Sequence, residues 1–237
     1  MNRDNRRLRH ELKYILPKPV GELLQNRLRA VMKPDGNSRD GSYRVTSLYL
    51  DDLYRASYYD KLAGINQRRK FRVRAYGLDP GTLRLEVKRK DNEYVYKTAA
   101  PLTLEQYGSI LKGDFSFMKE YGEGPLPQAM EELMVSEGIT RPRPVVLVDY
   151  FREAWVHEAG DVRVTFDTGL ATCRGAFDMF KAEYSPVLGD AAIMEIKYGS
   201  FMPSRVIDVF SGVALTREAV SKYALCMNRR YILNNGG

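Results

Sequence analysis

Arg72 and Arg74 stand two residues apart in KFRVRAY, where Lys70, Arg72, Arg74 and Tyr76 alternate with Phe71, Val73 and Ala75. A period of two is that of a half-buried strand, so the charged residues share one face at roughly 6 to 7 Å spacing. That spacing suits neighbouring phosphoryl groups of one condensed phosphate, whose oxygens a planar guanidinium grips in pairs. Turn residues Gly77, Asp79, Pro80 and Gly81 follow, and Thr82 to Lys90 then sets Leu83, Leu85 and Val87 on one face against Arg84, Glu86, Lys88 and Lys90 on the other. A third strand, Glu93 to Thr98, contributes Lys97. Gripping anionic oxygens is the chemistry these residue types could do, whether on a nucleic acid, a membrane surface or a phosphorylated small molecule.

On any single strand such charges are the wet face of an antiparallel sheet. Here the pattern recurs: Glu11 and Lys13 in RHELKYIL, Arg152 in VVLVDYFREAWV, Arg163 and Asp167 in DVRVTFD, Glu195 and Lys197 in AIMEIKYG. With helices over the apolar faces, the charged faces would line an enclosed space, which a polyanion and water must balance.

Helices are legible between these strands. Val20, Leu23, Leu24, Leu28 and Val31 recur at helical spacing after Pro17 and Pro19. Pro34 to Ser42 reads as a loop and Arg44 to Leu50 as a strand, ending at Asp51 and Asp52, which could bind metal but as a strand-end turn pair are more often solvent-exposed. Tyr54 to Ala63 reads as a short helix or an irregular segment, and Thr103-Leu104-Glu105-Gln106 fits a capping box opening a helix through Leu111. Tyr121 to Pro127 is a Gly/Pro-rich loop, Gln128 to Glu137 a helix, and Pro144 to Val156, Val162 to Asp167 and Ala192 to Tyr198 are strands. Ser204 to Leu215 and Arg217 to Arg229 read as helices, the second with Thr216 as N-cap.

The 237 residues suffice for one large core, and 1–237 reads as a single domain. A net charge of +7 points to an anionic partner. Cys173 and Cys226 are the two cysteines and the start MNRDNRRLR is polar and basic, so a reducing, cytoplasmic setting without a disulfide is expected. No apolar run approaches the roughly 20 residues of a membrane span. Phosphate-loop, dinucleotide and HExxH metalloprotease signatures are absent, and no nucleophilic triad is visible. His10 and His157 stand apart from any partner motif, and the two cysteines read as packing residues. The lack of an RNP-like aromatic motif or a helix-turn-helix disfavours nucleic acid.

In this order, from Arg9 to about Arg230, RHELKYIL, SLYLDD, KFRVRAYG, LRLEVKRK, VLVDYFREAWV, VRVTFDTGL, MEIKYG and SKYALCMNRR resemble the VTC-type polyphosphate polymerase domain of the triphosphate tunnel metalloenzyme superfamily. The resemblance implies an α+β fold, an eight-stranded antiparallel β tunnel with helices packed outside and a basic lumen. It implies Mn2+- or Mg2+-dependent transfer of the terminal phosphoryl group of ATP onto inorganic polyphosphate, with release of ADP. The family's catalytic basic positions fall on Lys13, Arg72, Arg74, Lys88, Arg152 and Arg163. Substrate binding falls on Lys97, Lys197, Lys222, Lys70 and Lys90. Its metal-binding glutamate falls on Glu195, with Glu11 and Glu86 as further candidates whose alternative role is to balance neighbouring Arg and Lys. Triphosphate hydrolases of the superfamily commonly begin E-x-E-x-K. This chain reads Arg9-His10-Glu11-Leu12-Lys13, one carboxylate fewer, which fits a polymerase better than a hydrolase. Two other readings stay open: a tunnel-type inorganic or nucleoside triphosphatase, and a non-catalytic binder of polyphosphate or RNA.

Overall fold

The computed structural model describes residues 10–38, 41–92, 94–119 and 125–235. Its elements run β1 (His10–Leu16), α1 (Lys18–Leu28), β2 (Lys33–Pro34), β3 (Tyr43–Asp51), α2 (Ala56–Leu62), β4 (Arg68–Tyr76), β5 (Arg84–Asp91) and β6 (Tyr94–Pro101). There follow α3 (Leu104–Lys112), α4 (Gln128–Thr140), β7 (Arg143–His157), β8 (Val162–Cys173), β9 (Tyr184–Pro186), β10 (Ala192–Tyr198), α5 (Ser204–Val209) and α6 (Lys222–Asn235). The strands pair antiparallel in the order β1-β10-β8-β7-β3-β4-β5-β6, with β2 on β7 and β9 on β8. The α+β class and the eight-strand path are those expected. Two short strands add to the path, and among the described residues β1 and β6 do not pair with each other, so the sheet is not closed.

The chain divides into two compact units, Met1–Arg44 with Tyr150–Leu170 and Leu188–Ser221, and Val45–Asp149 with Ala171–Val187 and Lys222–Gly237. In the first, Leu24 and Leu28 of α1 are buried with Tyr14, Val164, Phe166, Met194 and Ile196 from the apolar faces of β1, β8 and β10. In the second, Phe71, Val73, Ala75, Leu83, Leu85 and Val87 are buried with Tyr107 and Ile110 of α3 and Met130 and Leu133 of α4. The alternation along β4 and β5 is thus resolved as read: the apolar face lies under helices, each large side chain contributing about 1.5–3 kcal/mol by leaving water. The box at the start of α3 is formed, Thr103 Oγ1 accepting from the Gln106 amide at 3.1 Å and the Gln106 side chain accepting from the Thr103 amide at 3.0 Å.

Three local expectations are corrected. Asp51 is 3% exposed rather than in an open turn. Its carboxylate accepts the amides of Ser57 at 3.1 Å and Tyr58 at 3.2 Å in the first turn of α2, and the Tyr223 hydroxyl at 2.5 Å. The helix read over Ser204 to Leu215 stops at Val209, and the one read from Arg217 begins at Lys222, so Thr216 caps nothing. Between them Gly212 takes a left-handed φ of 74°, and the Glu218 amide donates to Lys13 O at 2.9 Å, holding that segment along β1 instead of in a helix. Arg9, Glu93 and the 121–124 part of the Gly/Pro-rich loop lie outside the described residues.

Candidate functional site

In the second unit the antiparallel register sets Arg72 opposite Glu86 and Tyr49, Arg74 opposite Arg84 and Ser47, Lys70 opposite Lys88, and Lys88 opposite Lys97. Directly opposed residues share a sheet face, so the cations read as one set stand together with Ser47 and Tyr49 of β3. Their focus is Glu86, 2% exposed. Its Oε2 accepts Arg72 Nε at 2.7 Å and Nη2 at 2.6 Å and lies 3.7 Å from Arg74 Nη1, while Oε1 accepts Lys97 Nζ at 2.5 Å. Burial pushes this carboxyl up, but Arg72, Arg74 and Lys97 outweigh it and bring its pKa down to about 2. Arg72 also donates to the Tyr49 hydroxyl at 3.0 Å, and Arg74 Nε to Ser47 Oγ at 3.1 Å.

One end of this face is aromatic. Tyr49 stacks on Tyr223 of α6 at 4.9 Å, and the Lys70 ammonium sits 4.8 Å from the Tyr223 ring centroid. Burial would raise the Tyr49 phenol, yet Arg72, Arg74 and Lys70 draw it down to about 8. Burial lowers Lys70 to about 8, against the pull of Tyr49.

The first unit carries a second charged face. Register places Glu11 opposite Lys197, Lys13 opposite Glu195, Glu195 opposite Thr165 and Lys197 opposite Arg163. Glu11 and Glu195 are therefore diagonal neighbours on adjacent strands. Lys13 Nζ contacts Glu11 at 2.6 Å and Lys197 Nζ contacts Glu195 at 2.7 Å. Arg152 holds fully buried Asp167 in a fork, Nε to Oδ1 at 2.6 Å and Nη2 to Oδ2 at 2.7 Å. Arg163 Nη2 donates to Asp35 Oδ2 at 2.5 Å.

Of the residues expected from the sequence, Arg72, Arg74 and Lys97 converge on Glu86, with Lys70 and Lys88 on the same face. Lys13, Glu11, Glu195 and Lys197 form one block of alternating charge. Arg152 and Arg163 each have an aspartate of their own, Lys222 opens α6, and Lys90 faces Arg68 at the end of β4. Sequence reasoning missed Ser47, Tyr49, Asp35, Thr165 and Tyr223. For Ser47 and Tyr49 the alternation in RVTSLYL was the available signal; Asp35 and Tyr223 arrive from a loop and a helix, where no period reports them.

Among the described residues no three His, Cys, Asp or Glu side chains gather as a ligand set. Glu195 and Glu11 nevertheless fit a hard divalent ion, since magnesium-type sites take one or two carboxylates and complete the shell with water and substrate oxygens. The Thr165 hydroxyl opposite Glu195 is buried without a hydrogen-bond partner, a polar atom that a completed shell could engage on rearrangement. Glu86 already serves three cations, the balancing role that was its alternative. Among the described residues no helix is long and apolar enough to cross a membrane.

The VTC domain family model matches residues 8–231. Among solved structures, a protein from Hippeastrum, described as a candidate adenylyl cyclase with a dominant triphosphatase activity, is similar at 13% identity, over 93% of this chain and 95% of that one, with a TM-score of 0.55. A candidate adenylate cyclase from Vibrio parahaemolyticus is 10% identical over 92% of this chain and 97% of its own, with a TM-score of 0.49. At such identity the Hippeastrum likeness shows the fold. No curated protein matches.

Proposed function

The chain belongs to the VTC domain family, and on that premise we propose that it transfers the terminal phosphoryl group of ATP onto inorganic polyphosphate, with a divalent ion and release of ADP. The family supports a triphosphate-directed activity; the acceptor is our inference, and we read the whole chain as one catalytic domain. The observation that carries the reading is the gathering of Arg72, Arg74 and Lys97 on Glu86. Three cations gathered on one carboxylate carry a surplus of positive charge for phosphate oxygens.

Each residue then has a part. Glu86 and Tyr49 fix the Arg72 fork, and Ser47 fixes Arg74, so the guanidinium planes are set before substrate arrives and little ordering is left for the transition state. Lys88 and Lys97 supply compact charge along the phosphate chain. Within the first unit, Lys13 and Lys197 stand beside Glu11 and Glu195, and Arg152 and Arg163, oriented by Asp167 and Asp35, add donors for anionic oxygens. Glu195, with Glu11, would hold the divalent ion, which when bound supplies Lewis-acid neutralisation of phosphate oxygens. The attacking group is an already ionised phosphate oxygen of the acceptor, so the chain needs no general base.

The second reading keeps the fold and replaces the acceptor by water; the triphosphatase activity described for the Hippeastrum protein of similar fold favours it. Incubation with ATP and manganese, followed by separation of ADP, free phosphate and long-chain polyphosphate, decides between them. We expect ADP to be matched by chain phosphate; ADP matched by free phosphate would establish the hydrolase.

A further inference from the structure

Along β4, Arg68, Lys70, Arg72 and Arg74 share one face in a row about 20 Å long. Opposite them on β5 stand Lys90, Lys88, Glu86 and Arg84. On three of these four rungs cation faces cation: Arg68 with Lys90, Lys70 with Lys88 and Arg74 with Arg84. On the reverse face of the same strand ends Arg69 stands opposite Arg89. Like charges directly opposed on an antiparallel pair are unfavourable. Glu132 of α4 answers the reverse-face pair, 3.2 Å from Arg89 Nη2 and 4.0 Å from Arg69 Nε. Arg68, Arg69, Arg89 and Lys90 line a groove of about 460 Å³, against which stand two acids, Asp60 and Asp91. Asp91 is engaged by Gln67 at 3.1 Å and Asn92 at 3.2 Å.

We propose that this groove is a second site for condensed phosphate, taking the tail of a linear polyphosphate that follows the β4 row and turns round the end of the sheet. The proposal rests on the polyphosphate reading above and adds a place outside the Glu86 cluster. Arg68 lies about 13 Å along the strand from Arg72, so a chain must be longer than a triphosphate to engage both. Guanidinium groups on the two faces of one strand end suit a ligand that carries anionic oxygens on every side, repeat after repeat. A nucleic acid would add bases, and among the described residues lining the groove the aromatic partner for them is a single tyrosine, Tyr96.

The test is titration of the whole protein with long-chain polyphosphate, tripolyphosphate and a homopolymeric RNA at fixed ionic strength, for wild type, Arg68→Ala/Arg89→Ala and Arg68→Lys/Arg89→Lys. The alanine pair is expected to weaken long-chain polyphosphate about tenfold, the loss of two partly exposed ionic contacts, while tripolyphosphate affinity stays at the wild-type level. The lysine pair should recover most of the loss, which also separates ligand binding from any loosening of Glu132. Undiminished long-chain affinity, an equal loss for tripolyphosphate, or RNA affected as much as polyphosphate would each overturn the second site. Wild-type protein that binds neither phosphate would instead remove the polyphosphate reading on which it rests.

Discussion

Glu86→Gln isolates the counter-charge at the centre of the cation set. In the folded chain the carboxyl is brought from 4.5 to about 2, and at about 1.4 kcal/mol per unit this is a contribution of about 3 kcal/mol at neutral pH. Because the folded pKa is depressed, the contribution is complete above the unfolded value of 4.5 and is lost as pH falls toward 2. The amide nearly preserves shape but cannot balance Arg72, Arg74 and Lys97. Chemical denaturation at several pH values should show Glu86→Gln less stable than wild type by about 3 kcal/mol at pH 7, the gap closing between pH 4.5 and about 2. Tripolyphosphate supplies the missing anion, so its stabilising effect at pH 7 should be larger for the variant than for wild type. Equal stability at pH 7, or a gap that tripolyphosphate does not narrow, would refute the picture of three cations neutralised by one carboxylate and awaiting phosphate.

Four further outcomes follow from the same geometry. On the proposed metal-binding role, Glu195→Gln removes the charge and nearly preserves the shape, so turnover should be abolished across a manganese titration while the denaturation midpoint changes little. Arg74→Lys keeps the charge and loses the fork, so turnover should fall on the order of 100-fold while tripolyphosphate affinity changes far less. Asp167→Asn leaves Arg152 without its fork partner and should cost about 3 kcal/mol of stability, measured by denaturant unfolding. Tyrosinate absorbance should show a step near pH 8 that Tyr49→Phe removes; since the phenol is depressed from 10.0, stability gains from it as pH rises above about 8.

How far the sequence could be read depended on which interactions have a period. β4 and β5 alternate strictly, so Phe71, Val73 and Ala75 could be assigned to a core and Arg72 and Arg74 to a polar face, and the structure keeps both assignments. Thr103 and Gln106 announce α3 because a capping box is local in sequence. Long-range partners have no such signature. That Asp51 is sealed by Tyr223 and that Asp35 takes Arg163 depends on chain segments far apart in sequence. The end of the chain was misread for a related reason. Arg217 to Arg229 has helical composition, but tertiary contacts, among them the Glu218 amide on Lys13 O of β1, outweigh weak local propensity over its first turns.

The central claim, that this chain joins the phosphoryl group of ATP to polyphosphate, is met most directly by following label. ATP carrying a labelled terminal phosphoryl group is mixed with unlabelled polyphosphate, divalent ion and the protein, and the products are resolved by gel. The account predicts label in chains longer than those added, in step with ADP, and none of this transfer with Glu195→Gln. Label recovered as free phosphate in step with ADP, with the added chains unlabelled, would contradict it.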